Sequence, residues 1–161
     1  MKKNIILITL LLIFSFINLS GKVPDFSLKK LNGEEFNIGN HLGEKIIVID
    51  FWATWCKPCL KLMKKLDIIQ KQYSDDVLVL AISTDDSSAF SRIENYIKSR
   101  KYKFTVLLDP DSSVSSLFNP SSKIPFTMII DKKGTIRYTH YGYIPGFDKE
   151  LKSKIENLKN E

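Results

Sequence analysis

The sequence predicts an α/β domain with a mixed central sheet flanked by helices. Three observations carry that prediction. Short apolar runs alternate with segments of helical spacing over residues 22–161. One run, Ile46 to Trp52, is so nearly unbroken that it suits a strand covered on both faces. Two turn signals, Asn32-Gly33 and Lys132-Lys133-Gly134, each lie between short apolar segments, as in antiparallel hairpins. A chain of 161 residues has room for one such domain but not for two. With 43% hydrophobic residues, 7 Gly and 6 Pro, it is neither a disordered tail nor a Pro/Gly linker. The net charge of +6 is spread over many lysines, which suits solubility and gives no reason to expect a nucleic-acid partner.

Taken in order, residues 1–21 read as an address, either a signal peptide or an N-terminal membrane anchor. Lys2 and Lys3 precede the apolar stretch Ile5 to Ile17, which is interrupted only by Thr9 and Ser15. A basic start followed by an apolar run is the layout of an export signal. The run is shorter than the roughly 18 residues expected of a spanning helix. Ser20 or Gly21 offers a small residue for cleavage, although Asn18 and Leu19 are poor partners for it. The folded part is therefore expected outside the cytosol, in the periplasm or on the outer face of the cytoplasmic membrane of a bacterium. Contact with the membrane is expected only through residues 1–21, if they stay attached. In such a compartment a thiol pair tends to become a disulfide, so a reductant there must be supplied with electrons.

Residues 22–161 then form the domain. Residues 26–38 read as a hairpin around Asn32-Gly33, and 46–52 as the central strand. Leu62, Leu66, Ile69 and Tyr73 fall at helical spacing among lysines and make an amphipathic helix. Val77 to Ile82 is a buried strand. Residues 87–100 form a helix with Phe90, Ile93 and Ile97 on one side, and Phe104 to Leu108 a strand. Asp109-Pro110-Asp111 turns into a short helix near Val114 to Phe118. Phe126 to Ile130 and Thr135 to Tyr141 pair antiparallel across the second turn, and Phe147 to Leu158 is a closing helix.

The chemistry follows the central strand directly, at Cys56-Lys57-Pro58-Cys59. Two intervening residues let both sulfurs meet in the first turn of a helix, close enough to bond. A helix N-terminus offers unpaired N–H groups and the positive end of its dipole, which favour a thiolate at Cys56. Lys57 adds a cation, and Pro58 suits a turn where its missing N–H is no loss. Cys56 is then the exposed nucleophile and Cys59 the shielded resolving thiol. Two other readings of a CxxC are zinc binding and a structural bridge. A CxxC is also half of a zinc site, but zinc takes about four ligands and only His41 and His140 remain, in a loop and a hairpin strand. A purely structural disulfide closing so short a loop would stabilise little. The redox reading is preferred, and it requires no bound cofactor or metal.

The stretch from Asp50 to Cys59, DFWATWCKPC, resembles the active-site segment of the thioredoxin superfamily. Ile124-Pro125-Phe126-Thr127, running into Met128 to Asp131, resembles its second hallmark, a cis-proline loop entering a strand. Val23-Pro24-Asp25-Phe26 with the following hairpin is similar to the exported TlpA/ResA branch, which is related to AhpC/TSA. So is the long interval from Cys59 to Pro125, which has room for an extra helix–strand unit over roughly 87–108. The resemblance implies a thioredoxin-like fold with an N-terminal hairpin and that insertion. It implies that Pro125 is cis beside Cys56 and that the backbone of Ile124 pairs with a bound substrate strand. Trp55 would form an aromatic wall, and Lys57 and Pro58 would meet the substrate. It further implies a thiol–disulfide oxidoreductase that reduces a disulfide-containing exported protein and draws electrons from a membrane thiol donor.

Asp50 is informative without any family. It sits inside an apolar strand, where burial disfavours its charge, and a carboxyl held there can take a proton from Cys59 during resolution. The plainer alternative is a carboxylate satisfied by nearby N–H groups. The ResA-like pattern carries a Glu three residues after the second cysteine and a Pro two further on, where this sequence has Leu62 and Lys64. Leu62 reads as packing, so the acid role falls to Asp50, and apocytochrome c is not singled out as substrate. Two other functions stand as alternatives. A thiol peroxidase of the AhpC/TSA type lacks its Thr-x-x-Cys match in Ala53-Thr54-Trp55-Cys56. A copper-binding module would resemble thioredoxin-like chaperones with wider cysteine spacing and a histidine.

Overall fold

The computed structural model describes residues 21–161, so the expected address segment, Gly21 apart, lies outside them. Among the described residues no helix is long and apolar enough to cross a membrane. The chain builds a seven-stranded mixed sheet: β1 (Ser27–Lys30), β2 (Glu35–Asn37), β3 (Ile46–Trp52), β4 (Val77–Ser83), β5 (Thr105–Leu108), β6 (Phe126–Ile130) and β7 (Ile136–Tyr141). The helices are α1 (Lys57–Gln72), α2 (Phe90–Arg100), α3 (Ser115–Phe118) and α4 (Phe147–Lys159). The strand order is β2-β1-β5-β4-β3-β6-β7. β3, β4 and β5 are parallel neighbours, and every other pairing is antiparallel.

The order follows from the connections. β3 reaches β4 through α1, and β4 reaches β5 through α2, as parallel neighbours require. The hairpin from β6 to β7 turns at Gly134, where φ is +79°. The first hairpin closes through Leu31, Asn32 and Gly33. Gly33 N–H donates to Lys30 (3.0 Å), and Lys30 N–H to Glu34 (2.8 Å). The inserted unit expected over 87–108 is present as α2 and β5. It does more than lengthen the chain, because β1 hydrogen-bonds to β5 and thereby joins the hairpin to the central strands.

All seven residues of β3 are buried, which explains its unbroken apolar character. Alternation along the strand assigns them to two cores. Ile46, Val48 and Trp52 face Leu62, Met63, Leu66 and Ile69 of α1 and Phe147, Leu151 and Ile155 of α4. Ile47, Ile49 and Phe51 face Phe36, Ile38, Val114, Met128 and Ile130. Each fully buried aliphatic side chain contributes about 1.5–3 kcal/mol of transfer free energy.

Where the expected boundaries move, local bonds explain it. The helix expected over 87–100 begins instead as a 3-10 turn at Ser87–Ala89, because Asp86 caps it by accepting from Ser88 N–H at 2.8 Å. It ends where Lys101, at φ 56°, turns its N–H back to Ile97 and Lys98. A 3-10 turn at Ile38–His41 was not anticipated.

Candidate active site

β3 delivers the chain to a turn in which Cys56 N–H donates to the Ala53 carbonyl at 3.1 Å. Cys56 is the N-cap of α1, with extended backbone, and its Sγ accepts from Cys59 N–H at 3.3 Å. Its carbonyl takes the first helical bond, from Leu60 N–H at 3.1 Å. Pro58 lies in the first turn, and no acid does. This geometry brings the two cysteines together as a disulfide, with Cα atoms 5.2 Å apart. Cys56 keeps 5% exposure and Cys59 none, so the nucleophile expected to be exposed is nearly buried in the oxidised protein, and of the pair only Cys56 reaches the surface. Trp55 stands out beside it at 69% exposure, and Lys57 is exposed too. Trp52, by contrast, is buried against Tyr96.

The Ile124–Pro125 peptide is cis. The next residue, Phe126, opens β6 opposite Phe51, so the proline loop lies at the end of the sheet where β3 releases the chain toward Cys56. The Pro125 carbonyl accepts from Gly142 N–H at 2.8 Å, and Ile124 is half-buried between the two cores.

Asp50 shares the face of Val48 and Trp52, which is the face covered by α1 and Cys59. It is fully buried. Thr127, its cross-strand partner on β6, donates to Oδ1 at 2.8 Å, and Oδ2 has no hydrogen-bond partner among the described residues. Burial pushes the carboxyl up to about 8, and the Thr127 hydroxyl pulls the other way. The plainer expectation, a carboxylate satisfied by several N–H groups, does not describe this residue. Leu62 is buried in the core, as its spacing suggested, and Lys64 is exposed. Of the two histidines, His41 stacks on Phe36 at 4.6 Å and His140 on Phe147 at 4.2 Å.

Sequence reasoning did not anticipate Asp85. This buried carboxylate follows β4 and ties down the loop before Trp55. It accepts from Thr54 N–H and Thr54 Oγ1, each at 2.8 Å, and from Ser83 Oγ at 2.9 Å. Arg92 on α2 donates to Thr54 Oγ1 at 2.8 Å and lies 3.7 Å from Asp85. The available signal was an acid just past the C-terminal end of a parallel strand, where sites in α/β sheets gather. Thr127 was read as part of the proline motif, with no hint that it would face Asp50.

Comparison with known proteins agrees with this geometry. The model of the AhpC/TSA family matches residues 19–139. Thioredoxin-like protein YneN of Bacillus subtilis is 33% identical over 136 residues, covering 84% of this chain and 77% of its own. Thiol-disulfide oxidoreductase ResA of Geobacillus kaustophilus is 27% identical over 139 residues, covering 84% and 75%. Among solved structures, a candidate thiol:disulfide interchange protein DsbE from Chlorobium tepidum superimposes with TM-score 0.78 at 25% identity, covering 86% of this chain and 96% of its own. The exposed lipoprotein thioredoxin Etrx1 of Streptococcus pneumoniae does so with TM-score 0.70 at 26% identity, covering 83% and 99%.

Proposed function

We propose, from the premise that this chain belongs to the AhpC/TSA family and is a thioredoxin-like thiol–disulfide oxidoreductase, that it is exported and reduces disulfides in exported proteins. The observation that carries the reading is the Cys56–Cys59 disulfide across the first turn of α1, with only Cys56 reaching the surface. In the reduced protein the Cys56 thiolate attacks a substrate disulfide. That S–S bond breaks, one substrate sulfur leaves, and the other stays bound to Cys56. Cys59 then gives its proton to the ionised form of Asp50 and attacks the Cys56 sulfur, releasing the second substrate sulfur as a thiolate. Two electrons have passed to the substrate, and the pair is left oxidised. A membrane thiol donor restores it.

The N–H groups of the first turn and Lys57 favour the attacking thiolate. Trp55, Lys57, Pro58, Ile124 and Pro125 form the surface on which the substrate chain lies, with the Ile124 backbone as its strand partner. Residues 1–21 direct the domain outside the cytosol, where it acts in the periplasm or at the outer face of the membrane. The basic start followed by an apolar run supports this, as does the likeness to an exposed lipoprotein thioredoxin.

The test is a trap. Cys59→Ser holds the natural partner on Cys56 as a mixed disulfide that dithiothreitol releases, and mass spectrometry identifies an exported protein. Cys56→Ser captures nothing. Reductase activity that survives Cys56→Ala refutes the mechanism, and titration of the pair against glutathione separates reductant from oxidant.

A further inference from the structure

Cys56 is flanked on two sides. β6 neighbours β3 on one side, and the loop that enters it brings Ile124 and Pro125. β4 neighbours β3 on the other, and the segment leaving it carries Asp85, Asp86 and then α2. Between the two, β3 ends in a tight turn closed by Cys56 N–H on the Ala53 carbonyl at 3.1 Å, with Thr54 and Trp55 at its corners. A group fixed on Thr54 therefore stands beside Cys56.

Arg92 of α2 is such a group. Its Nε–H donates to Thr54 Oγ1 at 2.8 Å, and Nη2 lies 3.7 Å from Asp85 Oδ1. Neither partner depends on it. Asp85 already accepts from Thr54 N–H, Thr54 Oγ1 and Ser83 Oγ, so the guanidinium adds about 0–1 kcal/mol to the fold. The side chain is nonetheless held, and 64% of it is exposed. Beyond these two contacts its N–H groups have no acceptor among the described residues. Its exposed neighbour Asp86 turns Oδ1 to Ser88 N–H at 2.8 Å and, among the described residues, forms no ion pair with it. The first turn of α1 contributes no acid, and Lys57 and Lys123 are exposed on the two flanks. A guanidinium held from behind and open in front is preorganised for a carboxylate.

We infer that Arg92 is a specificity-determining residue of the redox site, selecting disulfides in acidic protein segments by pairing with a substrate carboxylate near the cysteine that Cys56 attacks. This rests on the proposed reduction of protein disulfides and names the class of segment preferred. A substrate strand held along Ile124 brings its cysteine to Cys56. The residues flanking that cysteine, each spanning at most about 3.6 Å, pass over exposed Trp55 and bring a carboxylate within about three residues of it to the guanidinium. The pairing makes no bond to sulfur and moves no electron or proton. It holds substrate before and during attack alike, so it acts on capture of the substrate and not on the exchange itself.

The test reads that capture. Fully reduced protein, freed of reductant, is mixed with fluorogenic disulfide peptides identical except for Asp, Asn or Lys two places from the cysteine. The second-order rate constant of the first turnover is measured for each. Wild type is expected to reduce the Asp peptide about tenfold faster than the Asn peptide and the Lys peptide slowest, with the spread shrinking at about 0.5 M salt. Arg92→Gln brings the three rates together by slowing the Asp peptide most. Arg92→Glu reverses their order, an outcome that loosening of the turn would not produce, and Arg92→Gln carries the test if the reversal variant fails to fold. Equal rates for the three peptides with wild type, or equal slowing of all three by Arg92→Gln, overturn the inference while the oxidoreductase reading stands. If wild type reduces none of the peptides faster than Cys56→Ala does, the proposed function itself fails and the inference falls with it.

Discussion

Asp50 and Asp85 are both buried carboxyls close to the turn that carries Cys56, yet their surroundings are opposites. Asp85 is met by two donors from Thr54, one from Ser83 and the nearby guanidinium of Arg92. Among the described residues Asp50 receives one hydroxyl and keeps an unpartnered oxygen. Burial alone therefore does not define what a buried acid does. The donors around it decide whether it holds structure in place or is poised to gain and lose a proton. One carboxyl pins the loop ahead of the reactive disulfide. The other sits behind that disulfide, on the face it shares with Cys59.

Changing the anchored carboxyl should have the largest effect on stability. Asp85→Ala strands the Thr54 N–H and the Ser83 hydroxyl and removes the tie on the loop before Trp55. Urea unfolding is expected to show a loss of about 3–5 kcal/mol. A loss below about 1 kcal/mol would erase the contrast with Asp50.

Asp50→Asn has a smaller effect whose size depends on pH, and its sign follows from linkage. The folded protein holds the Asp50 proton up to about 8, whereas the unfolded chain releases it near 4. The stabilisation from that proton is complete below the unfolded value and is lost as pH rises through the folded one. Wild type should therefore lose about 3–4 kcal/mol relative to Asp50→Asn between pH 5 and pH 8, read from paired urea midpoints. Parallel pH dependences would show that Asp50 does not hold its proton in the fold.

Thr127→Val removes the donor to Asp50 found among the described residues, whose pull lowers its proton affinity. The pH midpoint of the resolving step should move upward, at a stability cost of about 1 kcal/mol. The smallest change is expected for Arg92→Gln. Arg92 is 64% exposed and its pairing with Asp85 is screened by water, so unfolding should register about 0–1 kcal/mol. A larger loss would mean that the guanidinium, and not the backbone and hydroxyl donors, anchors Asp85.

Much of this architecture was readable because its signals are local. The all-apolar β3, the amphipathic spacing of α1, the glycine at each hairpin turn and the CxxC at the start of a helix each declare themselves within a few residues. The cis bond before Pro125 was an expectation of family likeness, and the structure contains it. What could not be read is nonlocal. Thr127 reaches Asp50 across 77 residues of sequence and Asp85 reaches Thr54 across 31, and no periodicity marks either pair. The inserted α2–β5 unit was foreseen as an addition, but its part in linking the hairpin to the central strands depended on sheet order.

By itself, then, the sequence determined the redox pair, the helix that presents it and the burial of an acid in the strand before it, because all three are written in neighbouring residues. Only the tertiary structure decided what that acid meets. The neighbours of Asp50 are set by which strands lie side by side and in what register, and a shift of one residue in β6 would turn Thr127 to the opposite face of the sheet.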